Sequence, residues 1–415
     1  MNLLFVHQGF PGQYRHIVRA LAATGGHRIV GMGIDSPTEE LPKGVHYVRY
    51  GLQRGNTPGT HPWIVESESK VLRGEACASA AFSLREQGFI PDIICAHPGW
   101  GESLFLKDVW PESPLLSYQE FFYHSRGFDY DFDPELQGNP SWEKCSYLRM
   151  KNANLLLNLD SSDWNVTPTL FQRSTFPSGW QNRISCIHDG IDTNLAAPGT
   201  PSLSMTLPDR TVISKSDSIV TFVNRHIEPY RGCHSFFRSI PHLQKINPHA
   251  RVVIVGHQTG VSYGKAAICG SWKDVFMSEI EGKVDLNRII FTGPLLYHDF
   301  LKILRISSAH VYLTYPFVLS WSVLEAMSSE APIVGSATAP VQEVIEDRNN
   351  GLLVDFFSPT EIAEAINELL TNRALSSSLG KEARKTVVTR YSLEVCLPRQ
   401  LALIDLVASR ALMTS

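Results

Sequence analysis

Ile219-Val220-Thr221-Phe222-Val223-Asn224-Arg225-His226-Ile227-Glu228-Pro229-Tyr230-Arg231-Gly232 is the stretch on which the reading of this chain turns. A short β-rich apolar run, Ile219–Asn224, predicts a strand, and a polar turn carries it into an amphipathic helical pattern at Gly232–Lys245. The same strand-turn-helix alternation continues downstream. Strands are expected at Arg251–Gly256, Arg288–Thr292, Ala309–Leu313, Ile333–Ser336 and Leu352–Val354. Helices Trp272–Glu281, Asp299–Ile306, Trp321–Ser329, Thr360–Leu370 and Ser376–Thr389 separate them, and Tyr391–Arg410 is a last amphipathic segment. Upstream, strands are expected at Asn2–Val6, Arg28–Gly33, His46–Arg49, Asp92–Ala96, Leu115–Tyr118, Leu155–Leu159 and Arg183–Ile187. Helical patterns at Tyr14–Ala23, Val65–Gln87 and Trp142–Asn154 lie between several of these. Such alternation predicts an α/β protein with parallel sheets covered on both faces.

Between the two series, Asn194–Pro208 is uncharged and rich in Pro, Ser, Thr and Gly, a linker signal. With 415 residues, two domains are the natural division, here residues 1–200 and 209–390. Hydrophobic residues make up 43% and charged residues 19%, which excludes a disordered chain. The 37 Lys+Arg against 41 Asp+Glu give a net charge of −4, which argues against a protein built to hold nucleic acid. Seven cysteines without a Cys-x-x-Cys pair read as reduced thiols in a cytoplasmic protein, not as a zinc or redox motif. The longest uncharged stretch, Ile306–Leu324, contains Ser307, His310, Thr314 and Pro316, so it reads as a buried strand and loop.

In doubly wound sheets ligands bind beyond the carboxyl ends of strands, and a cleft between two facing domains is the expected site. The second domain offers two candidate segments. In Tyr315-Pro316-Phe317-Val318-Leu319-Ser320-Trp321-Ser322-Val323-Leu324-Glu325-Ala326-Met327 a strand ends and a polar-capped helix begins. The amides of Val318, Leu319, Ser320 and Trp321 would suit a diphosphate, and Glu325, one turn on, two ribose hydroxyls. An ordinary capped helix with a solvated glutamate is the other reading. In the opening stretch, Asn224 sits at the strand end, and Arg225 and Arg231 flank the turn, where guanidinium forks match phosphate oxygens.

Together these residues resemble the family 4 retaining glycosyltransferases of the GT-B fold. Asn224-Arg225-His226…Arg231-Gly232 is similar to the segment that opens the family's second domain, with arginine in place of lysine. His188-Asp189-Gly190-Ile191-Asp192, Ser336–Val344, Asn350–Val354 and Phe5–Gln13 are similar to further family elements. The resemblance implies two Rossmann-like domains facing across a cleft, with the segment 391–415 packing back onto the first. It implies transfer of a sugar from a nucleotide-diphosphate donor, a UDP- or GDP-sugar, to an acceptor hydroxyl with retention of configuration. No permanently bound cofactor and no metal are implied. Glu325 matches the second glutamate of the family's paired element, whereas Phe317 stands where the first is found. A nucleotide-sugar-binding protein without transfer is the alternative.

In the first domain, His97 of Ala96-His97-Pro98-Gly99-Trp100-Gly101-Glu102 corresponds by position to a histidine near the transferred sugar, making it a catalytic candidate with Arg225 and Arg231. Its other reading is a histidine packed on Trp100 and bonded locally. Gly12 would let a loop approach the diphosphate, with His7 and Gln8 as neighbours. Tyr118–His124 packs aromatic beside polar residues, suited to sugar stacking or to core packing. Asp129-Tyr130-Asp131-Phe132-Asp133 contains Asp-x-Asp but lies in a Gly- and Pro-flanked loop, which favours a solvated acidic loop over a metal site. The expected acceptor is a glycan, a lipid-linked or a small molecule, peripheral membrane contact is admitted, and the oligomeric state is left open.

Overall fold

The computed structural model describes residues 1–37 and 39–410. The chain divides into two compact units, Met1–Asp189 with the C-terminal stretch from Cys396, and Gly190–Val395.

The first unit runs β1 (Asn2–Val6), α1 (Arg15–Thr24), β2 (Arg28–Gly33), β3 (Val45–Arg49), α2 (Val65–Glu86) and β4 (Ile93–Ala96). It continues with α3 (Leu106–Val109), β5 (Leu115–Tyr118), α4 (Trp142–Lys151), α5 (Ala153–Ser161), β6 (Trp164–Thr167), α6 (Leu170–Thr175), α7 (Ser178–Gln181) and β7 (Ile184–Cys186). Its sheet has the order β3-β2-β1-β4-β5-β6-β7, parallel throughout.

In the second unit a short antiparallel hairpin, β8 (Ser204–Thr206) and β9 (Val212–Ser214), precedes β10 (Ile219–His226), α8 (Cys233–Ile246), β11 (Arg251–His257) and α9 (Trp272–Ile280). Then follow β12 (Ile289–Gly293), α10 (Tyr297–Ile306), β13 (Ala309–Tyr312), α11 (Trp321–Ser328), β14 (Ile333–Ser336), α12 (Ala339–Gln342) and β15 (Leu352–Val354). Helices α13 (Pro359–Thr371) and α14 (Arg373–Arg390) close the series. The sheet order is β12-β11-β10-β13-β14-β15, again all parallel. The last helix, α15 (Leu393–Ala408), places Leu403, Ile404 and Val407 in the first unit's core with Leu3, Phe5 and Ile93.

Both sheets are doubly wound, and the physical reason is legible in β10, where Ile219–Val223 are all buried. Helices cover both faces of a parallel strand, so its residues need no polar alternation. The strand order reverses beside β1 in the first sheet and beside β10 in the second. Those two switch points, β1/β4 and β10/β13, are where loops part and leave a crevice at the carboxyl ends.

One expected strand is a helix. Leu155–Leu159 lies inside α5, and the strand there is β6. Four leucines in five residues fit either element, but Leu155 and Leu159 are buried while Leu156 and Leu157 are exposed, which is helical spacing. The apolar stretch Ile306–Leu324 comprises the end of α10, β13, a loop and the start of α11. Among the described residues no helix is long and apolar enough to cross a membrane.

Candidate active site

At the β10/β13 switch point of the second unit, β10 delivers Asn224 and Arg225. Arg225 is exposed and makes no hydrogen bond or ion pair among the described residues. The Asn224 Nδ2 is buried and likewise has no hydrogen-bond partner there. Gly256 of β11 explains how closely the backbones approach, since a Cβ at that position would lie 2.2 Å from the Asn224 carbonyl oxygen.

Arg231 behaves otherwise than a cleft arginine. It is only 7% exposed. Its Nη1 donates to Thr314 Oγ1 at 2.8 Å, to the Val318 carbonyl at 3.0 Å and to the Tyr312 hydroxyl at 3.3 Å. The guanidinium carbon lies 5.3 Å from the Tyr263 ring centroid, a cation–π contact. Arg231 therefore braces the loop between β13 and α11 with the guanidinium that the sequence offers to phosphate oxygens. Gly232 follows with φ +70°, and a Cβ there would meet Leu313 Cβ at 2.4 Å, so only glycine fits the start of α8.

The same loop holds the helix-start amides. The Ser320 amide donates to the Tyr312 hydroxyl at 2.8 Å, and the Ser322 amide to Ser320 Oγ at 3.2 Å. These two donors are already spent, which removes Ser320 from the set offered to a diphosphate. Those of Val318 and Leu319 carry no hydrogen bond among the described residues. Trp321 is the first residue of α11. Glu325, 9% exposed, accepts from the Tyr297 hydroxyl at 2.7 Å and is not a solvated surface glutamate.

Phe317 is 4% exposed and packs edge-on against Tyr230 (5.5 Å, 85°) and Tyr263 (4.9 Å, 67°). Phe317 thus forms an aromatic wall with Tyr230 and Tyr263. The loop after β11, which contains Gly260 and Lys265, is tied down by a residue the sequence reading passed over. Glu228 Oε2 accepts from the amides of Ser262 (2.5 Å) and Tyr263 (3.0 Å). Burial pushes the Glu228 carboxyl above its usual range, against the pull of those amides. No local pattern pairs Glu228 with a loop 34 residues along.

At the β1/β4 switch point of the first unit stand His7 and His97, ring centroids 5.3 Å apart. The Gly9 amide donates to His7 Nδ1 at 3.0 Å, and the Gly99 amide to His97 Nδ1 at 3.1 Å. Burial lowers the His7 pKa to about 4 and that of His97 well below its ordinary value. Both rings are therefore neutral near pH 7, and with Nδ1 accepting, the proton sits on Nε2. His97 stacks on Trp100 (4.5 Å, 28°) and Tyr118 (5.5 Å, 24°). The packing and the local bond are both present, yet the buried Nε2 of His97 has no hydrogen-bond partner among the described residues. Gly12 has φ +50°, and a Cβ on it would fall 2.5 Å from the His7 ring, so its smallness seats that ring.

The Asp129–Asp133 segment is not a solvated loop. Asp129 and Asp133 are buried, and Asp133 Oδ1 accepts from the amides of Glu135 (2.9 Å) and Leu136 (3.1 Å). Among the described residues no group of three His, Cys, Asp or Glu is arranged to hold a metal ion. Phe121 is core, edge-on to Tyr123 at 5.4 Å.

With fold and site in view, comparison with known proteins gives the class. The model of the glycosyl transferase family 4 group matches residues 25–196, and that of the glycosyl transferases group 1 matches residues 206–386. The chain belongs to the group 1 glycosyltransferases of the GT-B fold, a family that uses nucleotide-sugar donors. It is 24% identical over 304 residues to a D-inositol 3-phosphate glycosyltransferase of Corynebacterium aurimucosum, covering 70% of this chain and 66% of that one, just under two thirds of the relative's length. The fold is similar to a sucrose-phosphate synthase from Thermosynechococcus elongatus (TM-score 0.72, 16% identity, 99% and 100% of the two chains). It is also similar to Anabaena HepE, solved in complex with UDP-glucose (TM-score 0.64, 14% identity, 100% of each chain).

Proposed function

We propose that the protein transfers a hexosyl group from a nucleotide-diphosphate sugar to an acceptor hydroxyl with retention of anomeric configuration. The observation that supports this best is the set of unspent donors at the carboxyl ends of β10 and β13. Asn224 Nδ2, the Val318 and Leu319 amides and the partner-free Arg225 can stabilise the charge that grows on a leaving diphosphate. Arg231 acts through the loop it braces and adds positive potential. Glu325 clamps ribose, an exchange in which the Tyr297 hydroxyl yields or shares the carboxylate. Arginine and amide donors supply the neutralisation a metal would otherwise give, so transfer is metal-independent. The residues 1–200 serve the acceptor and 209–390 the donor, and His97 gives its Nε2–H to a sugar hydroxyl. HepE was solved with UDP-glucose, and the corynebacterial relative is named for an inositol phosphate acceptor. These make UDP-glucose the first donor to try and a small phosphorylated polyol one acceptor to try. The setting is the cytoplasm.

A thermal-shift series with UDP-glucose, GDP-mannose, ADP-glucose and dTDP-glucose, each with and without EDTA, tests the reading. One of the four should raise Tm by several degrees irrespective of EDTA, and the same donor should release its nucleotide on turnover. No shift with any donor would refute the assignment. A shift without turnover would leave a nucleotide-sugar-binding protein.

A further inference from the structure

The amino ends of the second sheet carry a cavity of about 230 Å³, far more than one water molecule requires. Its wall includes Ser218, Ser308 and Pro332, the residues that directly precede β10, β13 and β14. The candidate active site lies at the opposite, carboxyl ends of the same strands. Two cations share this wall, Lys215 and Arg373, and neither makes an ion pair among the described residues. The Lys215 Nζ donates to the Ser307 carbonyl at 3.3 Å. Burial disfavours the Lys215 charge, and the Glu330 carboxylate, which also lines the cavity, favours it. An ammonium drawn out of water and left with one neutral acceptor gains most from an anion.

Arg373, Ser376 and Ser377 stand at the start of α14, and their spacing puts both serines beside the arginine on one helix face. Arg373 is exposed, and none of the three side chains makes a hydrogen bond among the described residues. The helix start adds positive potential. Ser329, 1% exposed, brings to the same wall a hydroxyl without a hydrogen-bond partner among the described residues. A guanidinium, an ammonium and two free hydroxyls on one cavity are a donor set for a phosphate group.

The cavity also carries two carboxylates, which a bare anion would meet with repulsion. Asp217 is partly spent, since its Oδ2 accepts from the Ser214 amide at 2.8 Å and the Ser214 hydroxyl at 3.0 Å. The Glu330 carboxylate makes no hydrogen bond or ion pair among the described residues. Glu330 follows α11 with φ +59°, a left-handed position where glycine is the default. Its backbone is fixed against α14, because its carbonyl oxygen lies 2.6 Å from where a Cβ on Gly380 would fall. A strained backbone that nevertheless keeps a carboxylate at a cavity wall points to a contact for that carboxylate, which accepts from hydroxyl hydrogens. We infer that this cavity binds a small sugar phosphate, with Arg373, Ser376, Ser377 and Lys215 holding the phosphate and Glu330 accepting from a sugar hydroxyl. The inference stands on the second unit alone and does not depend on the transfer reading.

Isothermal titration calorimetry with glucose 6-phosphate, ribose 5-phosphate and inorganic phosphate tests this. At least one of the sugar phosphates should bind about tenfold more tightly than inorganic phosphate. Arg373→Ala changes an exposed side chain and should weaken that binding about tenfold. Glu330→Gly should raise Tm by relieving the left-handed backbone, while sugar-phosphate affinity falls to that of inorganic phosphate. Arg225→Ala, at the other ends of the strands, should leave sugar-phosphate binding within about twofold. Binding of neither sugar phosphate, or binding undiminished in Arg373→Ala, overturns the inference. Inorganic phosphate bound as tightly as both sugar phosphates overturns the role of Glu330 and the sugar-phosphate class with it. Binding lost in Arg225→Ala would put the ligand in the candidate active site and overturn the inference as well.

Discussion

At the switch point of the first sheet, His7 and His97 are buried, neutral and committed through Nδ1 to backbone amides. At that of the second, Arg225 lies exposed without a partner, and Asn224 keeps a bare Nδ2. The two units share one architecture but differ in what their strand ends leave unspent. Neutral N–H donors in a dry setting suit uncharged hydroxyls. An exposed cation with amides suits an anion whose charge rises during reaction. The fold sets where chemistry can happen, and a handful of end-of-strand residues decide which chemistry.

The comparison breaks most visibly at Arg231, which the second unit uses as a buried brace. Arg231→Ala should lower unfolding stability by about 3 kcal/mol, because it strands the Val318 carbonyl and the Thr314 hydroxyl, and should abolish the nucleotide-induced shift. Urea unfolding checks this, and stability within 0.5 kcal/mol, roughly the scatter of a surface substitution, would return Arg231 to the role of an ordinary cleft arginine.

Acid should separate the two units next. Burial holds His7 and His188 at about 4 and His97 well below its ordinary value in the first unit, and His310 at about 3 in the second. Each folded pKa lies below the unfolded value near 6.5, so the unfolded chain takes up protons first. The stability these groups confer is therefore full above pH 6.5 and is lost as pH falls toward 4, by about 3 kcal/mol for a histidine at 4. Hydrogen exchange followed from pH 7 to 5 should show β1 and β4 losing protection ahead of β10 and β13. Equal loss in both sheets would show that the histidines do not set the difference.

The smallest effect on stability, with an effect on binding that is separate from it, belongs to Arg225. Arg225→Ala should leave unfolding within about 0.5 kcal/mol, as an exposed, unpaired side chain supports nothing, yet cut the nucleotide-induced shift in Tm by at least half. An undiminished shift would take the diphosphate away from this residue.

The division between what could and could not be read in advance follows the range of the forces. Alternating apolar runs and amphipathic segments carried the doubly wound series, since burying both faces of a strand leaves its mark within five or six residues. Leu155–Leu159 failed because a leucine-rich run that short has no periodicity to separate helix from strand. Asn224, Arg225 and Glu325 were legible because a strand end or a helix start is itself a local feature. Arg231 was found for its charge but misjudged in its burial, because its partners Thr314 and Val318 lie more than 80 residues away.

By itself, then, the sequence determined the class of architecture, the division into two α/β series and the addresses of the polar strand ends, all consequences of local pattern. Only the tertiary structure decided which of those residues are spent. Strand order brings β4 beside β5, and so Tyr118 to His97, and β10 beside β13, and so Arg231 to the loop after it. Crossover topology sets those neighbours, and whether a polar group is left for a ligand depends on the partner that topology supplies.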